Sequence, residues 1–504
     1  MSIFMESILF LLQPAHLISC FLCNMLGVVM GALPGLGGGL AIAIMLPISF
    51  GMDPRLAIAM MLSIWVGSCS GGFIGSILLG IPGTPASMST CYDGYALTKK
   101  GEANRALSIG VVSNFLGTFP SLIIAMLVCT PLAKIAIKMG PWEYFSICAM
   151  AITLVIGLSK GRVFKGFIAC GLGLFVRSVG LAPISSQQRF AFGNTFLSGG
   201  FTQMCIIIGL FAGSQILLDF AKGEEGVGDM VDHVGRFRFY WNDLKNNVVN
   251  IIRSFFIGLG IGIMPGMGAS LSNVVSYATA KNSSKHEEEF GKGCIDGVIA
   301  PEVANNAGIG GAIIPMISLG IPGDNTTALL LGAMIIHGIE AGPMLQIQQP
   351  HYVQVIFSTV ILMALITLVI EILGVPLFPK ILKIPYHYLY PVILVFATVG
   401  CYTSVYSMWG VYQFAIFSII AIWFTVSGIP STPFLLSYIL GGTLELNLRN
   451  AMTYGRGDWT LLFTRPVSGI FLAIGIICVI RPIIKSVLAM RKRNSKTTEK
   501  DFVE

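Results

Sequence analysis

The stretch Pro301-Glu-Val-Ala-Asn-Asn-Ala307 places one carboxyl and two amides at the head of an apolar run. On a helix, Glu302 shares a face with Asn305 and Asn306, at i+3 and i+4. Asp324 lies further along the same half of the chain. An acid inside an apolar run is costly to bury and points to a group that carries protons or binds sodium. Glu302, Asn305, Asn306 and Asp324 are therefore the candidate ion-coupling residues. A competing reading makes Glu302 an interfacial helix-start residue with an electrostatic role only.

A second chemistry belongs to four Pro-Gly breaks. Gly31-Ala-Leu-Pro-Gly-Leu-Gly37 pairs with Gly262-Ile-Met-Pro-Gly-Met-Gly268, and Leu79-Gly-Ile-Pro-Gly-Thr84 pairs with Leu319-Gly-Ile-Pro-Gly-Asp324. Such breaks free backbone amides and carbonyls, which an apolar surrounding tolerates only if they face protein or a wet cavity. Each also starts a half-helix whose N-terminal amides attract anions. Hydroxyl and amide side chains gather beside the breaks, and few cations do. The candidate substrate-binding set is Pro34, Gly35, Gly37, Gly83, Thr84, Ser87, Pro265, Gly266, Gly268, Ser270, Gly323, Asn325, Thr326 and Thr327. An anion would be held there by amide dipoles and hydroxyls. The plainer reading is that small residues let helices pack closely. Arg177 either meets the substrate or snorkels to an interface, and Arg189 fits a solvated outer loop.

The elements that position these groups belong in a bilayer. The chain has 504 residues, of which 54% are hydrophobic and only 11% charged, against roughly 25% charged in a soluble domain. Its mean hydropathy is +0.80. A cytosolic enzyme, a disordered chain and a nucleic-acid binder are all disfavoured, and the net charge of +7 is small. The 59 glycines and 24 prolines exceed what plain spanning helices need, so interrupted helices are expected. No positive segment precedes the first apolar run, which reads as the first helix rather than a cleaved signal. The eleven cysteines and six histidines are scattered, Cys20 and Cys23 included, so no metal or cofactor is expected beyond a coupling sodium ion or proton. No nucleophile–base constellation marks an enzyme, and no phosphate-binding G-x-x-x-x-G-K-[ST] is present.

Long apolar runs predict an all-α polytopic membrane protein with about 12 spanning helices, several broken or re-entrant. Short pieces at 39–50, 268–280, 326–340 and 431–444 are too short to span alone and read as half-helices or re-entrant segments. Residues 1–220 form a first transmembrane repeat, 221–250 a cytoplasmic linker, 251–490 a second repeat and 491–504 a cytoplasmic tail. The halves match in order, with offsets of 231 and 240 residues for the two Pro-Gly pairs and 245 and 248 for two later motifs. Basic loops at Thr98–Arg105 and Lys160–Lys165 have no basic counterpart in half two, whereas Lys281–Lys292 has little in half one. Lys and Arg collect on the cytoplasmic side, so equivalent loops face opposite sides. That is the signature of an inverted repeat, unless the basic loops simply drifted.

Together these motifs resemble the large membrane subunit of tripartite tricarboxylate transporters. The match is carried by the Pro-Gly breaks, Gly80-Ile-Pro-Gly-Thr-Pro-Ala-Ser87, Asp93-Gly-Tyr-Ala-Leu-Thr-Lys-Lys-Gly-Glu-Ala-Asn-Arg-Ala-Leu107, Ala300-Pro-Glu-Val-Ala-Asn-Asn-Ala307 and the segment from Gly320 to Gly338. The resemblance covers about residues 20 to 480 and implies a bacterial inner-membrane permease. It further implies a small membrane subunit and a periplasmic solute-binding protein as partners, with no nucleic acid involved. A sodium or proton gradient would then drive uptake of a carboxylate, a tricarboxylate-like organic anion. The chain departs from the family at Gly80, Ala182 and Gly37–Gly39, close to the proposed site, so citrate does not follow. From the residues alone, a passive anion channel is the alternative, because inverted half-helices also build channels.

Overall fold

The structure is a computed structural model that describes residues 3–33, 36–136, 138–157, 163–182, 184–185, 187–214, 216–218, 234–264, 268–382 and 386–480. The first half contributes α1 (Ile3–Leu11), α2 (Pro14–Ala32), α3 (Gly37–Ser49) and α4 (Pro54–Leu79). It continues with α5 (Thr90–Lys99), α6 (Ala103–Ala136), α7 (Pro141–Gly157), α8 (Val163–Ser178) and α9 (Gln203–Ile208). The second half contributes α10 (Val248–Ile263), α11 (Gly268–Ser283), α12 (Asp296–Leu319) and α13 (Asn325–Ile336). It closes with α14 (Pro350–Gly374), α15 (Tyr386–Val405), α16 (Met408–Ser427), α17 (Ser431–Tyr454) and α18 (Pro466–Ile480). A two-residue antiparallel hairpin pairs Gly180 with Arg189 and Leu181 with Gln188.

Among the described residues, five helices, α2, α4, α6, α14 and α16, are long and apolar enough to cross a membrane. Large apolar side chains face outward on several helices, with Leu127, Val249, Leu373 and Val426 at 68–77% exposure. Such surface suits lipid and not water. The expected half-helices at 39–50, 268–280 and 326–340 are α3, α11 and α13. At 12 residues α13 rises only ~18 Å, short of a ~30 Å hydrocarbon core. The piece at 431–444 instead belongs to the 24-residue α17, because the helix continues through Glu445 and Arg449, which pair at i, i+4. The second-half helices begin at Val248, inside the stretch expected as linker, and residues 221–233 and 491–504 lie outside those described. The described part of the linker docks on α6: Arg105 pairs with Asp243, and Asn104 donates to the carbonyls of Gly235 and Arg236.

Two compact units emerge, each drawing on both halves of the sequence. The larger, residues 1–137 and 202–420, holds a duplicated helix pair. Against α2, α4 packs so closely that a Cβ on Gly27 or Gly31 would sit 2.3 or 2.4 Å from the carbonyl oxygens of Ile64 and Ser68. The pair α10 and α12 repeats the contact, where a Cβ on Gly258 or Gly262 would sit 2.2 or 2.7 Å from the carbonyl oxygens of Ala304 and Gly308. These glycines are 231 residues apart and their partners 240, the same offsets as the Pro-Gly motifs. Both α4 and α12 end on a left-handed glycine, Gly80 at φ 70° and Gly320 at φ 71°. A side chain with a Cβ is disfavoured in that conformation. The duplication read from motifs is thus also a duplication of packing.

The smaller unit draws its described residues from 138–201 and 421–480. Its α7 and α8 pack on α17, with Gly173 tight against the Phe434 carbonyl. Glu143, on the first turn of α7, is buried and bonds Arg465 at 2.6 Å. Arg177 lies over the Tyr438 ring and against Gly442, while Arg189 is paired with Glu445. Arg189, expected as merely solvated, therefore fastens the hairpin to α17.

Candidate functional site

The larger unit carries a polar cluster at the crossing of α4, α6 and α12. Local sequence explains its placement: Glu302, Asn305 and Asn306 fall on one side of α12 by helical spacing, and all three are fully buried. Asn306 is the hub. Its carbonyl oxygen accepts from Ser70 Oγ at 2.9 Å and Thr118 Oγ1 at 3.0 Å, and its amide donates to Asn114 Oδ1 at 2.7 Å. Asn114 in turn donates to the Ser70 carbonyl at 3.0 Å. Asn305 donates across to the Cys69 carbonyl at 3.2 Å. Thr90 Oγ1, at the start of α5, donates to Glu302 Oε1. Residues of the first repeat thus hold the acid of the second.

The cluster is incompletely satisfied. Glu302 Oε2 and Asn305 Oδ1 are buried without a hydrogen-bond partner among the described residues. Buried acceptors are rarely left so without reason. Two oxygens of this kind, one on a carboxyl and one on an amide, form the donor set that a small hard cation or a proton takes.

The breaks converge nearby. A Cβ on Gly83 would lie 2.0 Å from the Gly31 carbonyl oxygen, and one on Gly323 would lie 3.1 Å from that of Gly262. Each repeat's second break therefore rests on its first. Contacts also cross between repeats: α3 packs on α13, and α11 packs on the short turn Pro85–Ser87. Asn273 on α11 accepts from the Ser89 amide at 2.9 Å. Gly37 and Gly268 open α3 and α11 with φ of 61° and 55°. Pro34, Gly35, Pro265 and Gly266 lie outside the described residues.

The expected substrate residues separate into two groups. Thr84 is half-buried and its hydroxyl lies 3.3 Å from that of buried Ser87. Ser270 and Asn325 are exposed, Thr326 is half-buried, and Gly37 has open space where a Cβ would stand. These can meet a solute. Gly83 and Gly323 are buried packing contacts, and a Cβ on Gly268 would lie 2.5 Å from the Asp324 Cβ. Thr327 is buried as half of a capping box: Asp324 Oδ1 accepts from its amide at 2.7 Å, while Thr327 Oγ1 accepts from the Asp324 amide at 2.8 Å. Asp324 thus starts α13 in addition to any coupling role.

Helical spacing and motif offsets do not point to Asn114, Ser70, Thr118 or Glu371. Glu371 is 1% exposed on α14, lies beside Asn114 and is within electrostatic reach of Glu302. Its signal was available, as a lone acid in an otherwise uncharged apolar run.

The tripartite tricarboxylate transporter TctA family matches residues 17–436. An uncharacterised 52.8 kDa protein of Agrobacterium vitis, from the TAR-I ttuC' 3' region, is 34% identical over 483 residues, covering 96% of each chain. A second uncharacterised protein of that organism, from the TAR-II ttuC' 3' region, is 37% identical over 231 residues, 46% of this chain and 96% of its own. No solved structure matches. Matched across most of its length by the family and nearly end to end by the first relative, the chain belongs to the TctA family of tripartite tricarboxylate transporters.

Proposed function

We propose that the chain is the large permease subunit of a binding-protein-dependent transporter and takes up a tricarboxylate-like organic anion. A sodium or proton gradient drives the uptake. A periplasmic solute-binding protein delivers the anion, and a small membrane subunit completes the complex. About 12 spans cross the bacterial inner membrane, with the two repeats inverted and the linker and tail in the cytoplasm; the asymmetry of basic loops supports that orientation. Glu302, with Asn305 and Asn306, is the coupling group. The half-helix starts beside Thr84, Ser87, Ser270, Asn325 and Thr326 bind the anion.

The observation that carries this reading is the convergence of two duplicated sets of broken helices beside a buried acid with an unpartnered oxygen. Broken helices alone serve a channel equally well. A desolvated acid with no paired cation is what a coupled carrier needs and a passive pore does not. The test is reconstitution of the complex in proteoliposomes with its loaded binding protein. Uptake is expected to saturate and to collapse when the sodium and proton gradients are dissipated. Flux that needs neither gradient nor binding protein would establish the channel instead.

A further inference from the structure

Glu371 extends the polar cluster to a fourth helix. It lies close to the C-terminal Gly374 of α14, where the helix dipole disfavours negative charge. It is nonetheless buried, and its Oε1 has no hydrogen-bond partner among the described residues. Glu302 Oε2 and Asn305 Oδ1 are in the same condition. The two acids belong to one polar cluster: Asn306, one turn from Glu302 on the same face of α12, donates to Asn114 Oδ1, and the Asn114 side chain lies beside the Glu371 carboxyl.

Among the described residues, no basic side chain pairs with either acid. The groups acting on Glu302 are Thr90 and Asn305, with Cys91 of α5 in its reach, and those acting on Glu371 are Glu302 and Asn114. The arginines on the surrounding helices make other contacts. Arg55 binds Asp53, Arg105 binds Asp243 and Glu102, and Arg253 binds Asn250. Asp93 accepts from the amides of Gly291, Gly293 and Cys294, and from Tyr277. Glu6, His16, Lys99, Lys134 and Lys281 sit at or near helix ends. Two buried carboxylates without a counter-charge are strongly unfavourable.

We propose that Glu302 and Glu371 share one positive charge, a proton or a sodium ion, in a two-carboxyl site whose polar surroundings include Asn305, Asn306 and Asn114. The claim that this site couples the gradient rests on the uptake reading above; that it is occupied does not.

The test uses dicyclohexylcarbodiimide, which modifies protonated carboxyls in apolar surroundings. The full chain, purified with its membrane partner in lipid, is labelled and the adducts are mapped by mass spectrometry. Modification at Glu302 or Glu371 is expected. If added sodium suppresses the labelling, the shared ion is sodium. If only raising the pH in sodium-free buffer suppresses it, the shared ion is a proton. No adduct at either acid, or labelling indifferent to both ions, overturns the proposal. In Glu371→Gln, the ion concentration that half-protects Glu302 is expected to move by about tenfold or more, as loss of an interacting charge requires. An unmoved midpoint also overturns the pairing. If that variant does not fold, labelling of the unaltered protein decides. Gradient-independent uptake with ion-protected carboxyls would sink the coupling reading and keep the site. Gradient-driven uptake with unprotected carboxyls would do the reverse.

Discussion

Helices α4 and α12 occupy equivalent places in a duplicated frame and have opposite interiors. Both lie against a glycine-bearing partner helix and end on a left-handed glycine. At the positions of Glu302, Asn305 and Asn306, counted 240 residues back, α4 has Leu62, Trp65 and Val66. All six are buried. Frame and chemistry are therefore separable: glycines present in both copies build the geometry, while the acid and its amides are placed once.

The largest effect should come from the shared frame. Gly27→Leu and Gly258→Leu each drive a side chain into a backbone carbonyl little more than 2 Å from the new Cβ. Backbone cannot yield as a flexible side chain can, so each should cost more than about 3 kcal/mol and abolish folded protein. Monodispersity in detergent would check it. Tolerance of one substitution and not the other would break the equivalence of the two pairs.

Glu302→Leu puts the residue of α4 into α12. Removing a buried acid that lacks a counter-charge offsets the stranding of the Thr90 hydroxyl, so stability should be unchanged or slightly raised, by about 1 kcal/mol. Gradient-driven uptake should fall to background. A lower unfolding midpoint with uptake intact would make Glu302 a structural residue. Asn306→Val, the equivalent exchange one turn on, has the opposite sign because it strands Ser70, Thr118 and Asn114. A loss of about 3 kcal/mol is expected from those unpaired groups, read as the shift in thermal unfolding.

What could be read from sequence follows the same division. The breaks, their duplication and the shared face of Glu302, Asn305 and Asn306 are local patterns, and motif offsets and helical spacing record them. The partners of Asn306 lie 188 to 236 residues away. Nothing periodic in the chain announces Asn114, Ser70 or Thr118 as one network, because the folding of α4, α6 and α12 together makes it. Glu371 was legible as a lone acid, but its connection to Glu302 was not. Asp324 was legible as a polar residue after a break, whereas its capping contact depends on the backbone that Gly323 sets.

The smallest expected effect tests that last residue, by comparing the two second breaks. Thr84 and Asp324 are equivalent by the same offset of 240. Thr84 makes no side-chain cap and starts only the one-turn Pro85–Ser87, whereas Asp324 caps the 12-residue α13. Asparagine accepts a hydrogen bond at an N-cap about as well as aspartate, so Asp324→Asn should cost only a few tenths of a kcal/mol. It removes the charge and keeps the cap. If coupling resides in the acid on α12, the variant should accumulate substrate with unaltered dependence on the ion gradient. Thr327→Val, which breaks the box and keeps the charge, should lower stability by about 1 kcal/mol with the same ion dependence. Loss of that dependence in Asp324→Asn alone would move coupling to the break itself, and the chemistry placed once in this frame would then lie at the start of α13 and not within α12.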